Sequence, residues 1–272
     1  MNPIGKGASW LHLLLVPLSL LWLAPTIILI NGSFRRSSET IVDVGVQSLT
    51  LANVVAVWQQ SPLPQLFVNS GIVTVASVVI VLVVASLAGF GLVYYRFRGS
   101  GLVMVMLLSG LMLAPSAIIV PMYELMVRFR LLNTYGSLIG PYAALGIAVS
   151  ILLYRNAFAG LPRELAESAQ IDGASSFAIY RQVYLPLART TSVTIIILQG
   201  LAAWNDYIFA LLFMTDPSRQ TVQLAFIAFQ GQYFSSLPKQ FAVMALITIP
   251  VVVVFIALQR AFVSGLTAGA LK

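Results

Sequence analysis

The chain has no cysteine, one histidine and very little charge. Without cysteine there is no disulfide and no thiolate metal site. With His12 as the only imidazole, inside an apolar run, a Ser-His-Asp triad or an ordinary zinc site lacks parts. Lysine stands only at positions 6, 239 and 272, and the single Gly-Lys pair, Gly5-Lys6, is followed by Gly7. A phosphate-cradling G-x-x-x-x-G-K-[ST] loop is therefore missing. Charged residues make up 8% of the 272, against about 25% in soluble globular proteins. So few charges cannot cover a water-facing surface. The formal charge of +7 comes from cations scattered singly and in pairs between apolar runs, with no basic patch, which argues against nucleic acid as a partner.

What the chain has instead is hydrophobic length. It is 59% hydrophobic with a mean hydropathy of +0.95. A helix needs roughly 20 apolar residues to cross about 30 Å of hydrocarbon. Six segments qualify, at about 10–30, 70–95, 102–122, 137–154, 192–214 and 241–258. The first exceeds the usual 7–15-residue apolar core of a signal peptide and has no prompt small-x-small cleavage site, so it reads as an uncleaved span. The expected fold is an all-α integral membrane protein, one transmembrane domain over residues 1–272, in contact with lipid. With the termini inside, nine cations fall in inner segments and six in outer ones, in the direction of the positive-inside rule. Two loops are long. Residues 31–69, with Glu39 and Asp43, lie outside in this orientation, and residues 155–191 lie inside.

The inner loop carries helix signals. Pro162 suits a first turn, and Glu164 and Glu167 suit the positive end of a helix. Leu161, Leu165 and Ala169 share a face at i, i+4, i+8. Gly173 permits a left-handed C-terminal turn, and Ser175 or Ser176 can cap a second helix. Phe177, Tyr180, Tyr184 and Leu187 form that helix's apolar stripe, and Pro186 ends or kinks it where the fifth span begins. The reading is two short helices meeting at a glycine hinge.

This run, Glu167-Ser168-Ala169, then Gly173, then Val183-Tyr184-Leu185-Pro186, resembles the signature of ABC-importer permeases. The spacing matches, with Ser168 for alanine and Val183 for isoleucine as mild departures. Ile171-Asp172-Gly173-Ala174, Ala203-Trp204-Asn205-Asp206, Phe229-Gln230-Gly231-Gln232-Tyr233 and the tail Gly265-Leu266-Thr267-Ala268-Gly269-Ala270 resemble the carbohydrate-uptake branch, in particular the second permease of the maltose-transporter type. The resemblance implies the type I importer permease fold, a cell-membrane location with both termini cytoplasmic, and transport of a sugar, polyol or glycoside by alternating access. It implies no cofactor on this chain. ATP and Mg would be bound by two partner ATPase subunits, beside a second homologous permease and an extracytoplasmic solute-binding protein. It implies that Glu164, Glu167, Ser168, Ala169, Asp172, Gly173, Ala174 and Phe177 belong to a coupling element, with Glu167 meeting an arginine of the ATPase. The tail would enter the space between the ATPases.

Intramembrane ionisable groups are functional candidates by default. Asp206 is the clearest, beside Gln199, Trp204, Asn205 and Tyr207. These residues could line a solute path, rings against sugar C–H faces and amides against hydroxyls. Asp206 could equally be an interhelical contact or lie near the outer interface. Gln230, Gln232 and Tyr233, before the sixth span, could meet the binding protein or only water. An ion-coupled secondary transporter would want acids in several spans, and a membrane-embedded enzyme a convergent nucleophile-base-acid set.

Overall fold

The computed structural model of the protein describes residues 9–35, 50–95, 97–112, 114–228 and 237–270, with side chains throughout except at 9–12, 60, 227, 228 and 260–270. Its regular elements among these are all helical. In chain order they are α1 (Ser9–Ser33), α2 (Ala52–Gln60), α3 (Leu63–Tyr94), α4 (Ser100–Leu111), α5 (Pro115–Arg128), α6 (Gly136–Ala159), α7 (Glu164–Ile171), α8 (Ser176–Ile179), a π turn (Tyr180–Tyr184), α9 (Leu185–Leu187), α10 (Arg189–Asn205), α11 (Ile208–Phe213), α12 (Ala225–Ala228) and α13 (Leu237–Ala270). Short 3-10 turns lie between α11 and α12. Two compact units form, one from Met1–Pro64 with Ala225–Pro250 and one from Gln65–Leu224 with Val251–Lys272.

Four helices are long and apolar enough to cross a membrane: Leu13–Ser33, Leu63–Tyr94, Gly136–Ala159 and Leu237–Gln259. Two further candidates are bent pairs. Ser100–Leu111 and Pro115–Arg128 meet at 97°, and Ser176–Leu187 and Arg189–Asn205 at 73°. Counting each bent pair once brings the candidate spans among the described residues to six, by length and composition; the second bend, at Ala188, lies before the expected fifth span of 192–214. The third expected span is interrupted because Ala114 precedes a proline and takes an extended conformation, ψ 135°, after which Pro115 opens a new helix. The fifth is interrupted at Asp206, where ψ is 130°, and resumes as α11. The fourth runs on past Arg155 to Ala159. The second begins at Leu63 rather than Ser70; at 1.5 Å per residue its 32 residues reach about 48 Å, well beyond the hydrocarbon.

In the first unit, α2 is tied back to the end of α1. The buried Asn53 amide donates to the Ser33 carbonyl at 3.2 Å and to that of Arg35, and Thr50 N–H donates to Phe34. Residues 36–49, with the expected Glu39 and Asp43, lie outside the described set.

In the second unit, two apolar clusters hold α3, α6 and α10 together. One gathers Val73, Met126, Leu138, Tyr142, Phe209 and Phe213. Above it the fully buried Asn69 amide uses both its ends. Its oxygen accepts from Gln65 and the Tyr135 hydroxyl, and its nitrogen donates to the carbonyls of Ser218 and Gln220 at 3.0 and 2.8 Å. In the adjoining turn, the Ser218 backbone N–H and hydroxyl donate to Asp216 and hold its carboxyl below the usual carboxylate range. The other cluster is aromatic, built on Phe90, Tyr154, Phe158, Tyr180 and Tyr184. Here α3 and α6 approach closely. A Cβ on Gly89 would stand 2.8 Å from Cβ of Tyr154 and 3.1 Å from the Arg155 nitrogen, while a Cβ on Gly91 would meet nothing outside its own helix within 4 Å.

Gly89→Val should therefore force the helices apart, a cost of about 1–3 kcal/mol for overpacking. Gly91→Val pays the same helix-propensity cost in open space. The thermal unfolding midpoint in detergent should fall for Gly89→Val well below that of Gly91→Val; equal midpoints would refute the close approach.

Candidate functional site

The loop at residues 155–191 folds by local rules. α7 starts at Glu164 with Arg163 at the N-cap, so Pro162 lies just before the helix rather than in its first turn. The helix ends on Gly173 at φ +81°, in the left-handed region. Ala174 N–H donates to the Ala169 carbonyl at 2.9 Å and Gly173 N–H to that of Gln170 at 3.0 Å, the pair of bonds that satisfies a helix end through a left-handed glycine. Ser175, rather than Ser176, caps α8, its hydroxyl accepting from Ala178 N–H at 3.2 Å.

The loop's faces differ from the i, i+4 expectation. Ala166 is buried and Leu165 is 43% exposed. Within the expected stripe Tyr180 and Tyr184 are buried, whereas Phe177 and Leu187 are exposed. A small residue lets α7 approach the aromatic cluster closely. Larger apolar groups are left on the outside, including Ile171 at 86% exposure. Glu164, Glu167, Ser168, Asp172 and Gly173 are exposed beside them, with Ala169 and Ala174 half-buried on the inner side. The outward surface thus combines three carboxylates with Leu165, Ile171 and Phe177.

The inward surface is anchored firmly. The Tyr180 hydroxyl hydrogen-bonds Ser86 Oγ on α3 at 2.8 Å, both groups buried. Phe90 lies against Tyr94, Tyr180 and Tyr184, with ring centroids 4.8, 5.4 and 5.1 Å apart. Phe158 of α6 meets Tyr184 edge-on at 5.4 Å, and the Tyr154 hydroxyl reaches Ser192 at 2.7 Å. The π turn lies at the centre of this cluster, an irregularity common at functional positions.

A second polar locus sits where α10 breaks. Asp206 Oδ2 accepts from the Tyr142 hydroxyl at 2.7 Å and from Ala210 N–H at 3.2 Å. One carboxylate thereby bonds α6 and takes over a donor at the start of α11. Gln199 is buried and donates to the Tyr142 carbonyl at 2.8 Å. It fits only because residue 146 is glycine, since a Cβ there would overlap the Gln199 amide. A groove of about 450 Å³ opens along these groups, lined mainly by apolar side chains with Tyr142, Ser150, Gln199 and Asp206. Trp204 and Tyr207 are half-buried and Asn205 is exposed, and none of the three lines this groove. Trp204 packs on Phe67 at 6.0 Å, and Gln223 donates to Asn205 at 3.4 Å. The structure thus joins Gln199 and Asp206 through Tyr142 and Gly146, which a single sequence could not pair with them. Gln230, Gln232 and Tyr233 lie outside the described residues. No cluster of three or more metal-ligating side chains occurs among the described residues.

Comparison with known proteins adds identity to this geometry. Residues 81–268 match the family described as binding-protein-dependent transport system inner membrane component. The chain is 31% identical over 275 residues, 99% of its length and 89% of the other's, to the probable ABC transporter permease protein YurM of Bacillus subtilis. It is 31% identical over 225 residues, 82% of each chain, to the melibiose/raffinose/stachyose import permease protein MelC of the same organism. Among solved structures, a bacterial ABC transporter involved in import of the acidic polysaccharide alginate superposes with a TM-score of 0.83. That match covers 96% of this chain and 100% of the other at 21% identity, a likeness of fold.

Gly146→Ala should push the Gln199 amide off the Tyr142 carbonyl, leaving a buried polar group short of a partner, at a cost of about 1–3 kcal/mol. Gly140→Ala on the same helix meets nothing within 4 Å. Unfolding midpoints in detergent should separate the two; no difference would show that glycine is not needed for the amide.

Proposed function

The chain belongs to the family of binding-protein-dependent transport system inner membrane components, and from that premise we propose that it forms half of the transmembrane path of an ATP-driven importer for a sugar, polyol or glycoside. The name of MelC supports a carbohydrate solute. In this reading a second permease completes the path, two ATPase subunits bind ATP and Mg, and an extracytoplasmic protein delivers the solute. The chain holds no phosphate-cradling loop of its own.

The observation that carries the proposal is the outward face of the inner loop. Burying an apolar side chain of this size is worth about 1.5–3 kcal/mol, so Ile171 and Phe177, both well exposed, favour docking. Glu164, Glu167 and Asp172 around them suit a cationic partner surface. The anchored inward face then carries motion of the docked loop into α3, α6 and α10, the requirement for two-state alternating access. The termini and residues 155–191 are cytoplasmic in this reading, and residues 31–69 are outside.

Orientation is checked by labelling. Because the chain has no cysteine, Gln170→Cys gives it one thiol, which an impermeant maleimide should miss in intact cells and reach in inverted vesicles. Labelling from outside would reverse the topology.

Coupling is checked by mutation. Truncating one side of a desolvated interfacial charge pair costs about 2–5 kcal/mol, so Glu167→Ala should abolish uptake or uncouple it from ATP hydrolysis in the assembled transporter. Glu164→Ala, at a helix start, should lose only about 0.3–1 kcal/mol. Gly173→Val forces a Cβ into the left-handed region at about 1–2 kcal/mol and should weaken assembly. Normal uptake and normal binding-protein-stimulated ATPase activity in Glu167→Ala would show that this loop does not couple.

A further inference from the structure

We propose that the groove around Asp206 is a charge filter on the solute path, admitting neutral polyhydroxylated solutes and excluding anions. This rests on the importer reading above and adds the charge class of the solute.

Among the described residues, Asp206 is the only carboxylate lining the groove, and no lysine, arginine or histidine lines it. Its Oδ2 accepts two hydrogen bonds, from the Tyr142 hydroxyl and the Ala210 amide. Both bonds are donated to the carboxyl oxygen and favour its ionised form over the neutral acid. Cations of the surrounding helices stand towards their ends. Arg155 is in the last turns of α6 and Arg189 is the first residue of α10. No described lining group therefore offsets the negative charge. The other polar groups, Ser150 and the Gln199 amide, are neutral.

The chemistry follows from the low dielectric. Like charges repel far more strongly between apolar walls than in water. A carboxylate, phosphate or sulfonate entering the groove meets Asp206 without the arginine or lysine clamp that anion recognition uses. A hydroxyl-rich neutral molecule instead offers the O–H donors that the carboxylate can accept. The groove's apolar lining suits sugar C–H faces.

The test reads this field directly, without knowledge of the solute. Ala202 lines the groove, is exposed, and lies one helical turn before Asp206. In the cysteine-free chain, Ala202→Cys provides one thiol. The assembled transporter is treated with a trimethylammonium-bearing methanethiosulfonate and, separately, its sulfonate-bearing counterpart, and modification of this chain is followed by mass spectrometry. After normalising to a small free thiol, the cationic reagent should react at least about 10-fold faster, the low end of electrostatic focusing in a cleft. Adding Asp206→Asn should bring the ratio close to that of the free thiol. A ratio near unity, a preference for the anion, or a ratio unchanged by Asp206→Asn would overturn the filter. So would failure of both reagents to modify the introduced thiol, because the groove would then not be a water-accessible path. ATP-driven uptake by the same complex is measured separately. Uptake preserved alongside any of these failures would leave the importer reading standing and remove only the filter.

Discussion

A backbone in hydrocarbon must satisfy its own hydrogen bonds, and this one requirement organises the molecule. Continuous helix is the default solution, and α1, α3, α6 and the apolar part of α13 adopt it. Each departure has a replacement. At Ala114 a proline removes a donor and starts the next helix in the same step. At Asp206 a carboxylate accepts the Ala210 amide hydrogen that an unbroken helix would have paired. The break in the fifth span and the polar groove beside it thus have a common cause. The group that repairs the backbone is also the one acidic side chain among the described residues lining the groove.

The same economy ties the inner loop to the spans. Its first helix is closed by a left-handed glycine and its second opened by a serine cap, so those two helix ends are satisfied from within the loop. Its position comes from Ala166, Tyr180 and Tyr184 packed into the cluster of Phe90, Tyr154 and Phe158. Anchoring on one side and apolar exposure on the other suit an element that transmits displacement rather than one that binds a small molecule.

Local signals were legible in the sequence. Hydropathy located the four unbroken spans because apolar length needs no knowledge of neighbours, and Gly173, Ser175 and Pro186 mark a hinge, a cap and a kink by their own conformational limits. The break at Pro115 escaped because a 20-residue apolar run outweighs one proline in an average. The face of α7 escaped for another reason. Periodicity favours the larger Leu165 as the buried residue, but tight packing on aromatic rings selects Ala166. The role of Asp206 could not be read locally, since Tyr142 lies 64 residues away and Gly146 matters only through Gln199. The expected solute-path group accordingly divides, with Gln199 and Asp206 in the groove and Trp204, Asn205 and Tyr207 beside it.

The central claim is that this chain carries solute inward using ATP hydrolysed by partner subunits. It is tested most directly by the energy source. The complex of this chain with its partner permease and ATPases, reconstituted in proteoliposomes with its binding protein, should accumulate solute only when ATP is supplied to the ATPase side, and should do so with proton and sodium gradients collapsed. Accumulation driven by an ion gradient without ATP, or undiminished when this chain is left out, would contradict the account.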